Sequence, residues 1–539
     1  MDALNKRNKC NDGRARHMRA MVVALIGASL LAGCMVGPDY IRPDTAMPGR
    51  YRADTASLAR DRVPAEDLAQ WWAGFHDPVL AGLVQRALGQ NLDLAAAQAR
   101  VAQARAAAGV ASTAWLPQGA VDGSVTRERQ STVGALGTIA SQSPGYDRNQ
   151  TVRALGAGAS WELDLAGGLR RRAEALRAQA EAAEAASMGV RISVVAETAD
   201  AYFLLRGAQD ALALLQSQVD ADARYVAVME DRMRQGVAVD RERDDALARR
   251  RQDEALLPAL RAQVEKQGNR LDVLVGDHAG TDAAGLRKPE IRALVALSTA
   301  KGPALGVADT EADTEADTDT GVTGRLAWTL PAMPGSLEPA ALLRRRPDVM
   351  AAERHLAAAT AGIGVALAQY YPDVSLAGLL GYERLGNGNL FSSQAFQPSV
   401  LAGLHGRLFD FGRVDAEVRQ ARGARAEALA AYRQVVLRAG EDVEDALVTL
   451  AQVDAQAGAL RAAADADDRA EQSARRAYGQ GTASLAEILL RRREQLQARR
   501  AWVLAEVDRA RATVDAYRSL GGGWDPGVAS GEGALADGG

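Results

Sequence analysis

The residue whose type and position most clearly allow chemistry is Cys34. It directly follows Leu31-Ala32-Gly33, which end an apolar stretch that begins at Ala20. A basic segment precedes this stretch, and the order of basic, apolar and small residues is typical of an export signal. The apolar stretch is too short to stay in the bilayer as a spanning helix. We therefore expect residues 1–33 to form a cleaved signal peptide.

Leu31-Ala32-Gly33-Cys34 resembles the lipobox of bacterial lipoproteins, in which the signal is cut before the cysteine and the thiol is acylated. By the same resemblance, Met35 in place of Asp favours sorting to the outer membrane. Two or more acyl chains would anchor the protein durably, since each buried CH₂ group contributes about 0.8 kcal/mol. The alternative is a plain secretory signal followed by an incidental cysteine.

The rest of the sequence offers no legible catalytic, metal or cofactor site. The five histidines form no His-Glu-x-x-His motif, and the two cysteines are Cys10, within the signal, and Cys34. Gly156-Ala157-Gly158 lacks the third glycine of a dinucleotide-binding loop. The net charge of −4 argues against nucleic acid as a partner. We predict that the protein is not an enzyme, needs no metal or cofactor and contains no disulfide in its mature form.

The chain has the pattern of a tandem duplication. Trp115-Leu116-Pro117 recurs as Tyr370-Tyr371-Pro372 at an offset of 255 residues. Gln235-Gly236 recurs as Gln480-Gly481 at an offset of 245 residues. A single insertion or deletion between these motifs explains the change of offset.

Each half is predicted to contain a helix, a pair of strands and two long helices. Alternation with a period of two predicts strands at about 118–130 and 151–164, and again at about 374–382 and 400–408. The apolar phases of the two halves do not match when the motifs are aligned, so the strand register stays open. No apolar run after Cys34 is long enough for a membrane helix, so any membrane crossing must use these strands.

Helix length is the second indication of architecture. Residues 77–110 are predicted to be helical, and the stretches 169–235 and 413–478 contain no proline. Each of these two stretches would be roughly 100 Å long as a single helix. Helices of this length suit a coiled-coil tube, and several shorter helices in a bundle are the alternative.

Four strands cannot close a membrane β-barrel, which needs about eight or more. Their open edges would carry unpaired backbone groups in lipid. The chain is therefore expected to form oligomers, and three copies would supply twelve strands around one pore. The predicted fold class is mainly α, with a membrane β-barrel shared between copies.

These features together resemble the TolC-like outer-membrane factors of tripartite efflux systems, and among them the NodT-type lipoproteins. The most specific motifs are Cys34-Met35-Val36-Gly37-Pro38-Asp39-Tyr40, Trp71-Trp72, Leu342-Leu343-Arg344-Arg345-Arg346-Pro347-Asp348-Val349 and Leu408-Phe409-Asp410-Phe411-Gly412. The resemblance implies a homotrimer with a twelve-stranded barrel in the outer membrane, a helical tunnel through the periplasm and a mixed α/β equatorial belt. It also implies two partners, a periplasmic adaptor protein and an inner-membrane pump of the resistance-nodulation-division type.

The resemblance places the turns at Gln235-Gly236 and Gln480-Gly481 at the periplasmic tips, where an adaptor would bind. It also implies rings of acidic residues just above the tips, which narrow the pore. Glu487 matches one acidic position of the family pattern, whereas Leu490 stands where Asp is usual. Asp244 and Asp245 lie at a comparable distance from Gly236 in the first half. Three copies of a carboxylate around one axis would favour cations and repel one another. The alternative is that these acids are solvated charges on helix surfaces.

The domain prediction follows from these boundaries. The acidic repeat at 309–320 has no large apolar group and is expected to be disordered and without function. The segments are the signal 1–33, an extended lipid-anchored segment 34–76, a first repeat 77–280, a belt segment 281–335 that contains the acidic repeat, a second repeat 336–520 and a flexible tail 521–539.

The predicted function is passive export of drugs or toxic small molecules through the outer membrane, driven by the pump. An exit channel for type I protein secretion is the alternative within the same fold. A lipid-anchored coiled-coil scaffold without a pore is the alternative from another class, although a scaffold has no need of the two strand pairs.

Acylation of Cys34 can be tested by metabolic labelling with palmitate. Cys34→Ser removes the only thiol expected in the mature chain, so we expect the label to disappear. Cys10→Ser serves as the control, because Cys10 is expected to leave with the signal and labelling should persist. Labelled Cys34→Ser protein would refute the lipobox.

Overall fold

The structure is a computed structural model that describes residues 35–44, 51–52, 65–282, 285–286, 328–333, 339 and 345–525. The signal, Cys34, the acidic repeat 309–320 and most of the tail lie outside the described residues. None of the described helices carries an apolar run that could cross a membrane.

The described elements follow one order in each half of the chain. A 3₁₀ helix, Ala65–Phe75, and helix α1, Pro78–Gln90, come first. The first half continues with α2 (Leu92–Thr113), β1 (Gln118–Arg129), the short α3 (Ala135–Ala140), β2 (Asn149–Leu163), α4 (Gly168–Arg234) and α5 (Asp240–Leu274). The second half has α6 (Pro347–Ala368), β3 (Asp373–Leu385), β4 (Phe396–His405), α7 (Arg413–Gly479) and α8 (Leu485–Ser519).

Helix lengths agree between the halves. α2 and α6 each have 22 residues, α4 and α7 each have 67, and α5 and α8 each have 35. The predicted long helices are therefore confirmed, with ends within one residue of the proline-free stretches. The second pair of helices is about half as long as the first, and the mainly α fold class is confirmed.

The predicted helical stretch over 77–110 is confirmed except at Asn91, where the chain breaks between α1 and α2. Asp77 caps α1 by accepting hydrogen bonds from the N–H groups of Val79 and Leu80, at 2.9 and 3.2 Å. The Asn91 side chain accepts a hydrogen bond from Leu94 N–H and donates one to the Leu274 carbonyl. An asparagine that satisfies backbone groups on both sides stabilises a helix boundary.

The N-terminal segment also departs from its prediction. Residues 34–76 are predicted to be extended, but Ala65–Phe75 form the 3₁₀ helix. Trp71 and Trp72 on this helix are buried, as core packing requires. The Trp71 ring stacks on Tyr517 with centroids 5.5 Å apart.

The four strands form one antiparallel sheet in the order β1-β2-β3-β4. Ala157 pairs with Val121 on one side and with Leu380 on the other, and Leu376 pairs with Ala402. Directly paired residues project from the same face of a sheet. The apolar and glycine residues on this face are Gly119, Val121, Gly123, Val125, Leu155, Ala157, Ala159, Trp161, Leu163, Val374, Leu376, Gly378, Leu380, Tyr382, Phe396, Pro398, Val400, Ala402 and Leu404. The same face also carries Arg127, Arg129, Asn149, Thr151, Arg153 and Arg384. This face therefore carries an apolar band that runs from β1 to β4, while the other face carries most of the polar side chains of the sheet.

The sheet also settles the phase that the sequence left open. In the first hairpin, Gln118 pairs with Ser160. Asp373 lies 255 residues after Gln118, His405 lies 245 residues after Ser160, and these two residues also pair. Strands β1 and β3 thus correspond at the first offset, and β2 and β4 at the second. The two hairpins have the same register and the same apolar phase.

The chain divides into two compact units. The sheet belongs to the unit that lies within Met1–Asp44, Val101–Ala183 and Ala352–Tyr432. The other unit lies within Thr45–Arg100, Glu184–Ala351 and Arg433–Gly539. Its largest apolar cluster is aromatic at the centre, where Phe75 and Phe203 have ring centroids 4.8 Å apart.

Gly207 on α4 marks a close approach of two helices in the second unit. A Cβ atom at this position would clash with the buried side chain of Val507 on α8. A residue without a side chain therefore allows α4 and α8 to pack closely.

We expect Gly207→Ala to lower the unfolding free energy by about 1–3 kcal/mol, because overpacking a filled core costs that much. The measurement is thermal unfolding of the purified protein in detergent. Val507→Ala added to Gly207→Ala should restore part of the loss by making room. Gly458→Ala is the matched helical control, since its added Cβ would meet no described atom within 4 Å beyond the adjacent backbone of its own helix. Equal effects of the two glycine substitutions would contradict the close approach.

Candidate functional site

The first candidate site is the turn between α4 and α5. Gly236 N–H donates to the Met233 carbonyl at 3.0 Å, and Val237 N–H donates to the Arg232 carbonyl at 2.9 Å. This pair of bonds is the Schellman motif, which needs a left-handed residue after the helix end. Gly236 supplies that residue with φ of +73°.

The turn between α7 and α8 has the same geometry. Gly481 N–H donates to the Tyr478 carbonyl at 2.8 Å, and Thr482 N–H donates to the Ala477 carbonyl at 2.9 Å. Gly481 has φ of +74°. The two predicted tip turns are therefore tight, equivalent reversals that depend on glycine.

The glutamines of both turns are accessible. Gln235 and Gln480 are exposed, and Val237 beside the first turn is exposed as well. The Gln235 side chain donates to an oxygen of Asp231 at 2.8 Å. Each turn therefore presents a polar surface, to which Val237 adds a small apolar component in the first.

The acids predicted in the first half lie near the start of α5. Asp244 and Asp245 are both exposed. Asp244 lies 2.7 Å from the Arg243 guanidinium, and Asp245 lies 3.8 Å from Arg241. Both carboxylates are thus partly neutralised by arginines of the same helix.

Glu487 occupies the first turn of α8. Its backbone N–H donates to the Ser484 hydroxyl at 3.2 Å, which caps the helix. The Glu487 side chain is exposed, and a carboxylate at a helix N-terminus interacts favourably with the helix dipole.

The equivalence of the two turns identifies an acid that sequence reasoning missed. Glu487 follows Gly481 by six residues, and Glu242 follows Gly236 by six residues. Asp244 and Asp245 instead correspond to Leu489 and Leu490. Asp245 therefore lies at the position equivalent to Leu490, and the residue that matches Glu487 is Glu242. The spacing from the glycine would have revealed it.

The helix starts that carry these acids pack on one helix. Ala246 on α5 and Ala486 on α8 are buried in a cluster with Val226 and Met229 of α4. Ala246 directly follows Asp245, and Ala486 directly precedes Glu487. The structure therefore brings the acidic starts of α5 and α8 to the same end of α4.

Cys34 lies outside the described residues, but the segment after it is firmly bound within the first unit. The buried Arg171 of α4 donates to the carbonyls of Val36 and Gly37, each at 3.1 Å, and to the carboxylate of Asp39 at 2.8 Å. Val36 N–H donates to the carbonyl of Ala166, just after β2. These contacts hold the start of the described chain beside the end of β2.

A buried polar cluster joins α4, α5 and α8 above the turns. Arg493 lies 3.2 Å from an oxygen of Asp222 and 3.2 Å from an oxygen of Asp253. Gln218 donates to Asp253 at 2.6 Å. Burial and a hydrogen bond with Asp253 raise the pKa of Asp222 to about 6. Sequence reasoning missed this cluster because its members come from three separate helices.

Comparison with known proteins agrees with this geometry. The family model described as outer membrane efflux protein matches residues 83–277 and 339–522. The chain belongs to this family. The protein is thus an outer-membrane efflux channel, and its family consists of channel proteins.

Two relatives cover nearly the whole chain. The pyoverdine export outer membrane protein OpmQ of Pseudomonas putida is 29% identical, over 94% of this chain and 98% of that relative. Nodulation protein T of Rhizobium leguminosarum is 26% identical, over 92% of this chain and 96% of that relative. The predicted resemblance to NodT-type proteins is confirmed.

The solved structure of the outer-membrane channel OprN superposes with a TM-score of 0.72 and is 35% identical. The superposition covers 92% of this chain and all of that chain. This confirms the TolC-like fold and the outer-membrane location.

The Asp222 pKa predicts how stability depends on pH. Because the folded state raises this pKa from 3.8 to about 6, folding favours the protonated form. Its contribution is therefore most favourable below the unfolded pKa and is lost as pH rises through about 6. Asp222→Asn imitates the protonated form and should raise the unfolding free energy at pH 7.5 by about 1–3 kcal/mol, since each pKa unit corresponds to about 1.4 kcal/mol.

Thermal unfolding at pH 5 and pH 7.5 provides the measurement. The variant should also show a weaker change between the two values than the wild type. Asp220→Asn, at an exposed site on the same helix, is the matched control and should behave like the wild type. The cluster would not act as described if Asp222→Asn kept the full pH dependence.

Proposed function

We propose that three copies of this chain form a passive exit duct of a tripartite efflux pump. The observation that carries the proposal is the sheet, which has an apolar band across one face and two edges, β1 and β4, that are unpaired within the described chain. An apolar face is suited to contact lipid, and strands in lipid need every edge closed. Three sheets joined edge to edge would close a ring of twelve strands around one pore.

The helical part would carry solutes through the periplasm. α4 and α7 each have 67 residues, so each is roughly 100 Å long at 1.5 Å per residue. Their tight turns at Gly236 and Gly481 would be the entry, where exposed Gln235 and Gln480 meet a periplasmic adaptor. The adaptor would join the duct to an inner-membrane pump of the resistance-nodulation-division type, which supplies the energy.

Acidic rings near the entry would restrict the resting duct. Asp244, Asp245 and Glu487 are exposed at the starts of α5 and α8, and Glu242 is added by its equivalence to Glu487. Around a threefold axis each position would give three carboxylates, which favour cations and repel one another.

The membrane anchor would be an acylated Cys34. The bound segment from Met35 onward supports this role, since Arg171 fixes it beside the end of β2. Acyl chains at this point would enter the membrane close to the strands. Durable anchoring would then come from the lipid together with the strand ring.

Small molecules are the proposed cargo. The relative OpmQ is named for the export of pyoverdine, and other relatives are named for toluene, solvent and multidrug efflux. These names favour small-molecule efflux over type I protein secretion. The sheet in turn favours a pore over a scaffold, which has no use for an apolar four-stranded face.

Conductance in planar lipid bilayers tests the duct. We expect the purified wild type to open rarely, and the combined variant Asp244→Ala, Asp245→Ala, Glu487→Ala to conduct several-fold more often, because the repelling carboxylates are removed. Glu427→Ala, an exposed acid in the other unit, is the control and should leave conductance unchanged. A trimer that never conducts in either form would instead support the scaffold.

A further inference from the structure

The sheet leaves its two outer strands without partners within the described chain. β1 pairs only with β2 there, and β4 pairs only with β3. Both edge strands also expose apolar side chains on one face of the sheet: Val121, Val125, Val400 and Leu404 are all more than two-thirds exposed. Long unpaired edge strands that expose apolar side chains associate with further strands unless something covers them.

The duplication indicates which strands would join. β1 corresponds to β3 at an offset of 255 residues, and β2 corresponds to β4 at an offset of 245, along the whole hairpin. The pairing of β2 with β3 therefore joins the second strand of one repeat to the first strand of the next. Its equivalent across a chain boundary joins β4 to the β1 strand of another copy.

The same offsets, applied to the observed pairing of β2 with β3, give the register in which β4 would pair with β1 of another copy. Ala157 pairs with Leu380, and their equivalents are Ala402 and Val125. Ser160 pairs with Ala377, and their equivalents are His405 and Asp122. We infer that β4 of one copy pairs antiparallel with β1 of the next, with Ala402 opposite Val125 and His405 opposite Asp122.

Side-chain chemistry agrees independently with this register. Ala402 and Val125 both lie on the apolar face, so that face continues across the junction. On the other face, the imidazole of His405 would lie opposite the carboxylate of Asp122. A slip by one residue would place apolar side chains opposite polar ones.

An apolar seam continues below the strands. Leu408, Phe409 and Phe411 are between 85% and 101% exposed, although they are bulky and follow β4 directly. Phe411 has φ of +51°, a left-handed backbone that costs a side-chain-bearing residue about 1–2 kcal/mol. Asp410 holds this loop by accepting hydrogen bonds from the N–H groups of Gly412 and Val414, each at 3.1 Å. The loop is thus built to present an aromatic side chain that nothing in the described chain covers.

The first repeat shows what covers the equivalent loop. Gly167 stands where the second repeat has Gly412, and Met35 of the same chain packs against it. Gly412 is exposed, and a Cβ added to it would meet no described atom within 4 Å. Continuing the new register beyond the strand ends brings Phe411 level with Leu116 of the next copy. Trp115 and Leu116 are themselves more than 40% exposed. The two exposed apolar surfaces would therefore cover each other.

This inference rests on the proposed trimer and adds its residue register. Cysteine pairs introduced into one chain test it, with oxidation of the protein in membranes followed by denaturing electrophoresis. Ala402→Cys with Val125→Cys should link each copy to the next and yield a covalent trimer. Ala402→Cys with Gly123→Cys and Ala402→Cys with Arg127→Cys are slipped by two residues on the same face. They should link about tenfold more slowly, because disulfides need closely placed Cβ atoms.

Control experiments distinguish a wrong strand register from the absence of a trimer. Each single-cysteine variant should yield no covalent trimer, which excludes a contribution from Cys34. A trimer by light scattering in which a slipped pair links faster would overturn the register and leave the trimer standing. A wild type that is monomeric in mild detergent would overturn both.

Charge introduced into the seam tests its role. Phe411→Asp should reduce the trimeric fraction several-fold, since a carboxylate would be buried against Trp115 and Leu116 of the next copy. Val133→Asp, at an exposed apolar residue beyond the other end of β1, is the matched control and should leave assembly unchanged. An unchanged trimeric fraction with Phe411→Asp would overturn the seam and would mean that Phe411 contacts lipid.

Discussion

The constraint on which the structure depends is the need to pair the backbone groups at both edges of a four-stranded sheet. A single copy pairs three interfaces among its described strands and leaves β1 and β4 open. In lipid there is no water to satisfy the remaining N–H and C=O groups, so the edges must find strands elsewhere. Because an apolar band of the sheet runs from β1 to β4, closure with further copies would preserve one surface suited to lipid.

The tandem duplication makes the two halves of the chain structurally equivalent. The two halves repeat helices of 22, 67 and 35 residues and hairpins of identical register. An assembly of three such chains would contain six nearly equivalent repeats, so the junction between copies can imitate the junction within a copy. The repeats differ in the loop that follows each hairpin: the loop after β2 is covered by Met35, whereas the loop after β4 presents Phe411.

The helical end is stabilised by different interactions from those of the sheet. Its turns are stabilised by local hydrogen bonds around Gly236 and Gly481, while its acids are exposed near the starts of α5 and α8. The buried cluster of Asp222, Asp253 and Arg493 ties three helices together above these turns through charge rather than apolar contact. Buried charges of this kind are tolerated only because each has a charged or hydrogen-bonding partner.

Local patterns in the sequence determined the order of elements, the lengths of the long helices, the positions of all four strands and the glycines of both turns. These features depend on proline, glycine and periodicity, which act over a few residues. Only the tertiary structure decided the strand register, the helix break at Asn91 and the cluster around Arg493. Each of these depends on residues far apart in the chain, and no local pattern specifies which distant backbone or side chain will be the partner.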